Sequence, residues 1–423
     1  MQYNDLIQDL LKFLKKSPTP FHAVGNMVNL LETAGFTRLQ EQDAWNISEQ
    51  TLSDGCFITR NDSSIIAFRG RESLLEHGIQ MMGAHTDSPC LKVKPNPEMA
   101  QDYLQLGVEV YGGALLHPWF DRDLSLAGRV HFLDTHGALQ SCLVDFEKAV
   151  AVIPSLAIHL DREANEKHTV NKQKHLPPVL MTRLGHQNVC WDDVLLQRID
   201  HDAAKILSYE LSLYDVQAPA LVGLQDEFIA SARLDNLLSC YVGLRALLDG
   251  KGGRNALLVC NDHEEVGSMS AAGAQGNFLT TVLSRLAGDT EGLARMMASS
   301  MMLSADNAHA LHPNFSDKHE PNHTPIINAG PVIKVNANQR YASNSETCAL
   351  FQQMCNHAEV PTQSFVVRSD MGCGSTIGPI AASALGVATV DVGVPTFAMH
   401  SIRELAGVKD VSYLYRAMLH YMA

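Results

Sequence analysis

Residues 79–87 read Ile79-Gln80-Met81-Met82-Gly83-Ala84-His85-Thr86-Asp87, an apolar run that passes directly into a histidine and an aspartate. Short apolar runs are typical of buried strands, and open α/β sheets bind ligands beyond the carboxyl ends of their strands. The run therefore predicts a central strand that carries His85 to a site. On an extended segment His85 and Asp87 point the same way, so Asp87 is predicted to accept a hydrogen bond from the second ring nitrogen of His85.

Three further apolar runs lead to side chains of the same kind. They are Ala256 to Cys260, followed by Asn261-Asp262-His263-Glu264-Glu265; Met301 to Ser304, followed by Asp306; and Ala388 to Val394, which leads to His400. Since strands of one sheet can end at the same edge, these groups can converge although they are far apart in the sequence. Imidazole and carboxylate without thiolate are the ligands of catalytic zinc, so the pattern predicts a catalytic metal centre.

Each of these acidic or histidine positions also has an ordinary structural explanation. Asp235 precedes a helical apolar face and could be a helix N-cap, although among the other ligands it is a candidate bridge between two metals. Glu264 and Glu265 could be a solvated acidic pair, but they follow a buried run; Glu265 can bind metal while Glu264 faces the metal-bound water. Asp306 and His400, taken singly, would be a turn acid and a packed histidine.

The composition excludes several classes of function. The chain has 423 residues, 46% of them hydrophobic, and a formal charge of -14 from 46 acids and 32 bases, which argues against nucleic-acid binding. No apolar stretch is long enough to span a membrane, and the amphipathic start of the chain has no export signal. Nine scattered cysteines without a CxxC pair indicate free thiols in a reducing cytoplasm.

The pattern of strand-like and helix-like runs predicts an α/β fold with two domains. Strand-like and helix-like runs alternate in residues 1–95 and 226–423, which predicts one discontinuous domain with a mixed, largely parallel sheet flanked by helices. Residues 96–225 differ, because Leu124 to Leu133 and Leu139 to Phe146 are β-rich runs around a turn. They predict a smaller inserted β-rich domain. Asp161 to Asn188 is polar and irregular, and it predicts exposed loops.

In this order, the motifs resemble those of the aspartyl aminopeptidase family of co-catalytic zinc peptidases. The resemblance covers nearly the whole chain, and it is carried by residues 83–89, 231–235, 263–268, 306–315, 331–343 and 399–404. It implies a zinc-peptidase domain interrupted by a β-rich domain that serves as lid and dimerisation surface. It also implies a homo-oligomer in which dimers assemble into a tetrahedral dodecamer.

The resemblance assigns roles to individual residues. It implies two zinc ions, with Co²⁺ or Mn²⁺ possible in the same geometry, and the following roles: His85 and Asp306 on one ion, Glu265 and His400 on the other, Asp235 bridging them ahead of a cis peptide bond, and Glu264 as general base. His159 would reach the active site of a neighbouring subunit, although its pattern alone indicates a packed histidine.

The implied substrates are peptides with a free N-terminus, with a preference for Asp or Glu as the first residue. Lys334 matches a position that meets the acidic side chain, and His309 and His312 are predicted to line the substrate pocket. An alternative for Lys334 is a strand-edge lysine that extends to solvent. The same dinuclear site could also serve a carboxypeptidase or amidohydrolase. A non-catalytic assembly protein is a further alternative, against which the presence of Glu264 argues.

Overall fold

The computed structural model describes residues 3–99, 102–186, 189–199 and 202–423. Contacts divide the chain into two units. The first unit comprises Met1–Asp87, Pro219–Met399 and Glu404–Ala423, and the second comprises Ser88–Ala218 and His400–Arg403. The domain boundaries after residues 95 and 225 stay a prediction.

The helices and strands alternate along the first unit, whereas strands predominate in the second. The helices of the described residues are α1 (Tyr3–Lys15), α2 (Pro20–Thr33), α3 (Glu49–Asp54), α4 (Leu74–His77), α5 (Trp191–Leu196), α6 (Leu234–Asp249), α7 (Phe278–Ala287), α8 (Thr290–Ala298), α9 (Ser345–His357), α10 (Ile377–Leu385) and α11 (Val408–Met422). The strands are β1 (Thr37–Arg38), β2 (Cys56–Arg60), β3 (Ser64–Arg69), β4 (Gln80–His85), β5 (Cys90–Met99), β6 (Tyr103–Tyr111), β7 (Leu124–Asp134), β8 (Leu139–Asp145), β9 (Val179–Thr182), β10 (Ala203–Asp215), β11 (Ala220–Val222), β12 (Phe228–Ser231), β13 (Ala256–Asn261), β14 (Met301–Ala305), β15 (Ala308–His309), β16 (Val332–Lys334), β17 (Gln363–Phe365), β18 (Ala388–Gly393), β19 (Pro395–Phe397) and β20 (Glu404–Gly407).

A nine-stranded sheet forms the centre of the first unit, in the order β1-β2-β3-β13-β4-β14-β18-β16-β17. Its middle strands β13, β4, β14 and β18 are mutually parallel neighbours. They coincide with the four apolar runs predicted as strands, and the predicted mixed α/β fold is confirmed. Because these strands run the same way, their carboxyl ends meet at one edge of the sheet.

Alternate side chains of the central strands pack against helices on opposite faces of this sheet. On β4, Met82 and Ala84 belong to the core that includes residues of α1, α2, α6 and α11. Met81 belongs to the opposite core, with residues of α7, α8 and α10. Burial on both faces explains why β4 and β13 are continuously apolar rather than alternating. A second sheet of the first unit has the order β11-β12-β20-β19-β15.

The second unit contains a six-stranded sheet in the order β8-β7-β10-β5-β6-β9, and each neighbouring pair is antiparallel. The two predicted β-rich runs form its β7–β8 hairpin. The prediction of loops from Asp161 to Asn188 is wrong at Val179–Thr182, which forms β9 because it pairs with the edge of β6. Asn188 itself lies outside the described residues.

No helix within the described ranges combines the length and the apolar character that crossing a membrane requires. All nine cysteines fall inside those ranges, and each is a free thiol, as predicted.

Candidate metal centre

Three predicted ligands of the first unit meet at the carboxyl edge of the central sheet. His85 is the last residue of β4, Asp306 follows β14, and Asp235 lies at the start of α6. The His85 Nε2 atom is 3.3 Å from Asp235 Oδ1 and 3.4 Å from Asp306 Oδ1. Ligand atoms of the three residues all lie within 4.8 Å of one another. The side chains of His85 and Asp235 are almost fully buried, and that of Asp306 is 14% exposed, so the cluster is largely shielded from solvent.

Glu264 and Glu265 join the same histidine. A short 3₁₀ turn, Glu264–Val266, follows β13, and ligand atoms of Glu264, Glu265 and His85 lie within 4.8 Å of one another. The carboxylate of Asp87 holds this turn: its Oδ1 accepts from the backbone N–H of Glu264 and its Oδ2 from that of Glu265, both at 3.1 Å. Five of the predicted site residues of the first unit are thus brought together with Asp87.

Two oxygen atoms of Asp87 face the Nδ1 atom of His85, and one of them belongs to the carboxylate that the sequence predicts as its partner. The His85 Nδ1 atom is 3.0 Å from the backbone carbonyl oxygen of Asp87, but it is 3.5 Å from the carboxylate Oδ1. The carbonyl is therefore the nearer acceptor, because the carboxylate is directed to the N–H groups of the glutamate turn. Asp87 thus faces the ring of His85 with its main-chain carbonyl and with its carboxylate, and the carboxylate helps to raise the pKa of His85.

The N-cap interpretation of Asp235 is wrong. The N-cap of α6 is Arg233, which adopts a left-handed conformation with φ 59°, and Asp235 and Asn236 have non-helical backbone angles. The peptide bond between Asp235 and Asn236 is cis, as the resemblance implied. The backbone N–H of Asp235 donates to Glu404 Oε2 at 2.9 Å. The sequence analysis gives Glu404 no role, although Glu404 ends one of the family motifs. The structure shows that its side chain is buried, which the sequence does not indicate.

The electrostatics of the cluster favour a cation. Burial and the neighbouring Asp306 carboxylate raise the pKa of Asp235 to about 7. Burial also raises the pKa of Glu264 to about 8, and it outweighs the opposing effect of His85. Burial disfavours protonation of His85, yet hydrogen bonds to Asp235, Asp306 and Asp87 hold its pKa well above the usual value. The cluster places several carboxylate groups around one imidazole, and this donor set suits Zn²⁺.

Lys334 is buried beside this cluster, so the interpretation of a strand-edge lysine extending to solvent is wrong. Its strand β16 lies between β18 and β17, and its side chain is 2% exposed. The Lys334 Nζ atom donates to Asp306 Oδ2 at 3.1 Å and to the Asn307 carbonyl at 3.2 Å. Burial acts to raise the pKa of Asp306, but Lys334 and His85 outweigh it and hold that pKa below its usual value.

His309 and His312 line a cleft of about 320 Å³ in the first unit. His309, the first residue of its lining in chain order, is three residues after Asp306. The volume of the cleft falls in the range of small-molecule pockets, about 300–1,000 Å³. Its other basic side chains are Lys318, His319 and Arg368, and its apolar walls include Phe365, Phe397 and Met399. Both predicted histidines therefore lie in a pocket. Whether it is the substrate pocket stays a prediction.

Two predicted site residues lie in the second unit. His400 follows Met399, the last residue of a first-unit segment; its Nδ1 atom is 3.2 Å from the Gly113 carbonyl oxygen, and its own carbonyl accepts from the N–H of Leu115. Its role as a metal ligand stays a prediction. His159 is exposed on a turn, so the interpretation of a packed histidine is wrong.

Gly393, the last residue of β18, is required for the position of Asp306. A Cβ atom at residue 393 would lie 1.8 Å from the backbone oxygen of Asp306. We expect Gly393→Ala to displace that backbone, to lower the free energy of unfolding by about 1–3 kcal/mol or more, and to weaken zinc binding. Urea denaturation of the metal-free protein measures the first effect separately from the second.

A matched control is Gly25→Ala in α2, where an added Cβ meets no atom within 4 Å. This substitution is expected to stabilise the helix by about 0.5–1 kcal/mol. Equal urea midpoints for Gly393→Ala and the unmodified protein would show that the close approach of β18 to Asp306 is not restrictive.

Known proteins match the chain over almost its full length. The family model described as aminopeptidase I zinc metalloprotease (M18) matches residues 13–421. A probable M18 family aminopeptidase 2 from Pseudomonas aeruginosa strain UCBPP-PA14 is 58% identical over 421 residues, covering 98% of this chain and 97% of the relative.

Solved structures share the fold. A chain from the structure of the Ape4 and Nbr1 complex has a TM-score of 0.94 at 38% identity, covering 99% of this chain and 86% of that chain. The mApe1 dodecamer of S. cerevisiae has a TM-score of 0.86 at 27% identity, with coverage of 99% and 96%. The family resemblance drawn from the motifs is confirmed: the chain belongs to the M18 family of aminopeptidase I zinc metalloproteases.

Proposed function

We propose that this chain removes the N-terminal residue of peptides at a centre of two zinc ions and prefers an acidic first residue. One observation carries the proposal: His85 lies within ligand distance of Asp235 and Asp306 in one group, and of Glu264 and Glu265 in a second group. A purely structural zinc site has no need of a carboxylate beside its ligands, whereas a hydrolase needs a base.

The ligands divide naturally between two ions. His85 and Asp306 would hold one ion, Glu265 and His400 the other, and Asp235 would bridge them. The close grouping of His85 with both Asp235 and Asp306 supports the first ion. The assignment of His400 rests on its family motif. When bound, the zinc ions would lower the pKa of water to about 7 and polarise the peptide carbonyl. Co²⁺ or Mn²⁺ could occupy the same donor set.

Side chains of the protein then transfer the protons and orient the reacting groups. Glu264 accepts the proton of the attacking water and returns it to the leaving amine nitrogen. Asp87 holds Glu264 and Glu265 in register through their backbone N–H groups. His159, on its exposed turn, is proposed to reach the active site of a neighbouring copy and to donate to the developing oxyanion.

The acidic preference is supported by the positive charge near the cluster. Lys334 is buried next to Asp306, and an ammonium has three N–H donors, two of which the contacts with Asp306 and Asn307 use. The cleft adds the basic side chains Lys318 and Arg368 and the imidazole N–H groups of His309 and His312, beside one carboxylate, Glu320, which is paired with His323. These groups would attract a substrate carboxylate and disfavour a basic first residue.

The substrate end and the acidic preference can be tested with one panel of substrates. Zinc-loaded protein would be assayed on aspartyl-, glutamyl- and leucyl-anilides beside N-acylated versions of the same compounds. We expect cleavage of the free amines, with the highest kcat/KM for the aspartyl and glutamyl compounds. Cleavage of only the blocked substrates would sink the aminopeptidase mechanism, and equal rates on all three anilides would sink the acidic preference.

Lys334→Met is expected to remove the acidic preference selectively. A hydrogen bond to a charged group contributes about 1.5–3 kcal/mol, so kcat/KM for aspartyl-anilide should fall about 10- to 100-fold more than kcat/KM for leucyl-anilide. The leucyl compound is the internal control for damage to Asp306. A parallel loss on both substrates would restrict Lys334 to its ion pair with Asp306.

The assembly and location of the protein are also proposed from its relatives. The mApe1 relative forms a dodecamer, which supports a homo-oligomer here and, more specifically, dimers that assemble into a tetrahedral dodecamer. The free thiols are consistent with a cytoplasmic enzyme that acts on peptides. The negative net charge argues against nucleic acid as a partner.

A further inference from the structure

The segment that carries Glu264 and Glu265 is tightly turned. Three of its residues adopt positive φ angles: His263 at 63°, Gly267 at 95° and Ser268 at 63°. Non-glycine residues adopt this conformation at a cost and retain it only where surrounding contacts impose it. Asp87 supplies such contacts to the backbone N–H groups of the two glutamates. A second set of contacts involves His263, the residue that precedes them.

His263 and Ser270 form that second set. The Nδ1 atom of His263 is 2.8 Å from Ser270 Oγ, and this oxygen accepts from the backbone N–H of Gly273 at 2.8 Å. The Nε2 atom of His263 is 3.4 Å from Asp262 Oδ2. A ring proton on Nε2 fits both neighbours, because the hydroxyl can then donate to Nδ1 while the carboxylate faces an N–H. The imidazole is therefore hydrogen-bonded at Nδ1, and its Nε2 atom lies beside a carboxylate.

These contacts are transmitted to the glutamates through the main chain. The N–H of Ser268 donates to the His263 carbonyl at 2.8 Å, and that of Gly267 donates to the Glu264 carbonyl at 2.9 Å. His263 precedes Glu264 directly, so its backbone angles determine the direction in which the two carboxylates leave β13. A change of conformation at His263 would swing both of them away from His85.

We propose that His263, through its hydrogen bond to Ser270, is a positioning residue for Glu264 and Glu265. It does not touch the reacting atoms; it fixes the turn from which the general base and a metal ligand project. The inference rests on the proposed function only for the roles of these two glutamates. Loss of the His263–Ser270 contact is therefore expected to lower the affinity for zinc and to slow proton transfer by Glu264.

Four variants separate this role from general stability. His263→Asn tolerates a positive φ, but its side chain is too short to replace the imidazole; Ser270→Ala removes the hydroxyl, and Ser270→Thr retains it. The double variant His263→Asn/Ser270→Ala tests whether the two residues act as a unit. Each zinc-loaded protein would be measured for kcat and KM on aspartyl-anilide, and each metal-free protein for zinc affinity against a chromophoric chelator and for melting temperature.

We expect kcat and zinc affinity to fall about 10- to 100-fold in His263→Asn and in Ser270→Ala, with KM within about twofold. The double variant should be no worse than either single variant, and Ser270→Thr should restore kcat. A lower melting temperature with unchanged kcat and zinc affinity would overturn the proposal, as would full activity of His263→Asn. An inactive but zinc-binding wild-type protein would contradict the proposed function alone, because the affinity comparison would still test the His263–Ser270 contact.

Discussion

Replacing Glu264 with glutamine is expected to lower kcat about 10²- to 10⁴-fold while the zinc content stays at the wild-type level. Glutamine has nearly the shape of glutamate but cannot accept the proton of the attacking water. The backbone N–H of residue 264 would still donate to Asp87, so the turn should keep its conformation. Steady-state kinetics on aspartyl-anilide, together with metal analysis of the same preparation, measure both quantities.

The matched control for this variant is Glu291→Gln, at an exposed position in the first turn of α8. It makes the same chemical change away from the cluster and should leave kcat unchanged. Substantial activity in Glu264→Gln, with normal zinc content, would remove Glu264 from the role of base. It would also support the alternative that the protein is a non-catalytic assembly protein whose metal has only a structural role.

Asp235→Ala is expected to reduce binding of both zinc ions. Changes to residues that merely orient ligands weaken metal binding about 10- to 100-fold, so loss of a shared ligand should exceed about 100-fold and abolish detectable turnover. By contrast, His85→Ala should mainly affect the ion that His85 shares with Asp306. Zinc titration of the metal-free variants, followed by competition with a chelator, gives the two affinities.

The outcome for Asp235 depends on its bridging role. If Asp235→Ala lost only one ion and retained the affinity of the other, Asp235 would be an ordinary ligand of a single metal. Circular dichroism of the metal-free variants is needed in the same experiment, because Asp235 is buried and its backbone N–H donates to Glu404.

The sequence predicted the strands of the site well, for a clear physical reason. Strands buried on both faces are largely apolar, so β4, β13, β14 and β18 stand out against the polar residues that follow them, although β18 itself contains the buried Asp391. The ligands follow these runs directly, and parallel neighbours bring them together. His85, Glu264, Glu265 and Asp306 could therefore be found from local pattern.

Other features depend on contacts that local pattern does not encode. The order of strands in a sheet with crossover connections is not readable from one strand, and for this reason the sequence leaves open the strand-edge alternative for Lys334, which the position of β16 between β18 and β17 excludes. The Asp87 carbonyl oxygen lies 3.0 Å from His85 Nδ1, nearer than the carboxylate at 3.5 Å, and this closeness depends on main-chain geometry that residue type does not reveal. Glu404 and Ser270 acquire their roles through main-chain contacts with residues at other positions in the chain.

The direct test of the dinuclear centre is the amount of zinc bound per chain. Protein purified, stripped with a chelator and re-equilibrated with Zn²⁺ would be analysed by mass spectrometry of the metal, with aminopeptidase activity recorded at each stage. We predict two zinc ions per chain, loss of activity on chelation, and recovery that follows occupancy of the second ion. Full activity with a single zinc ion per chain would contradict the shared role of Asp235 and the dinuclear mechanism.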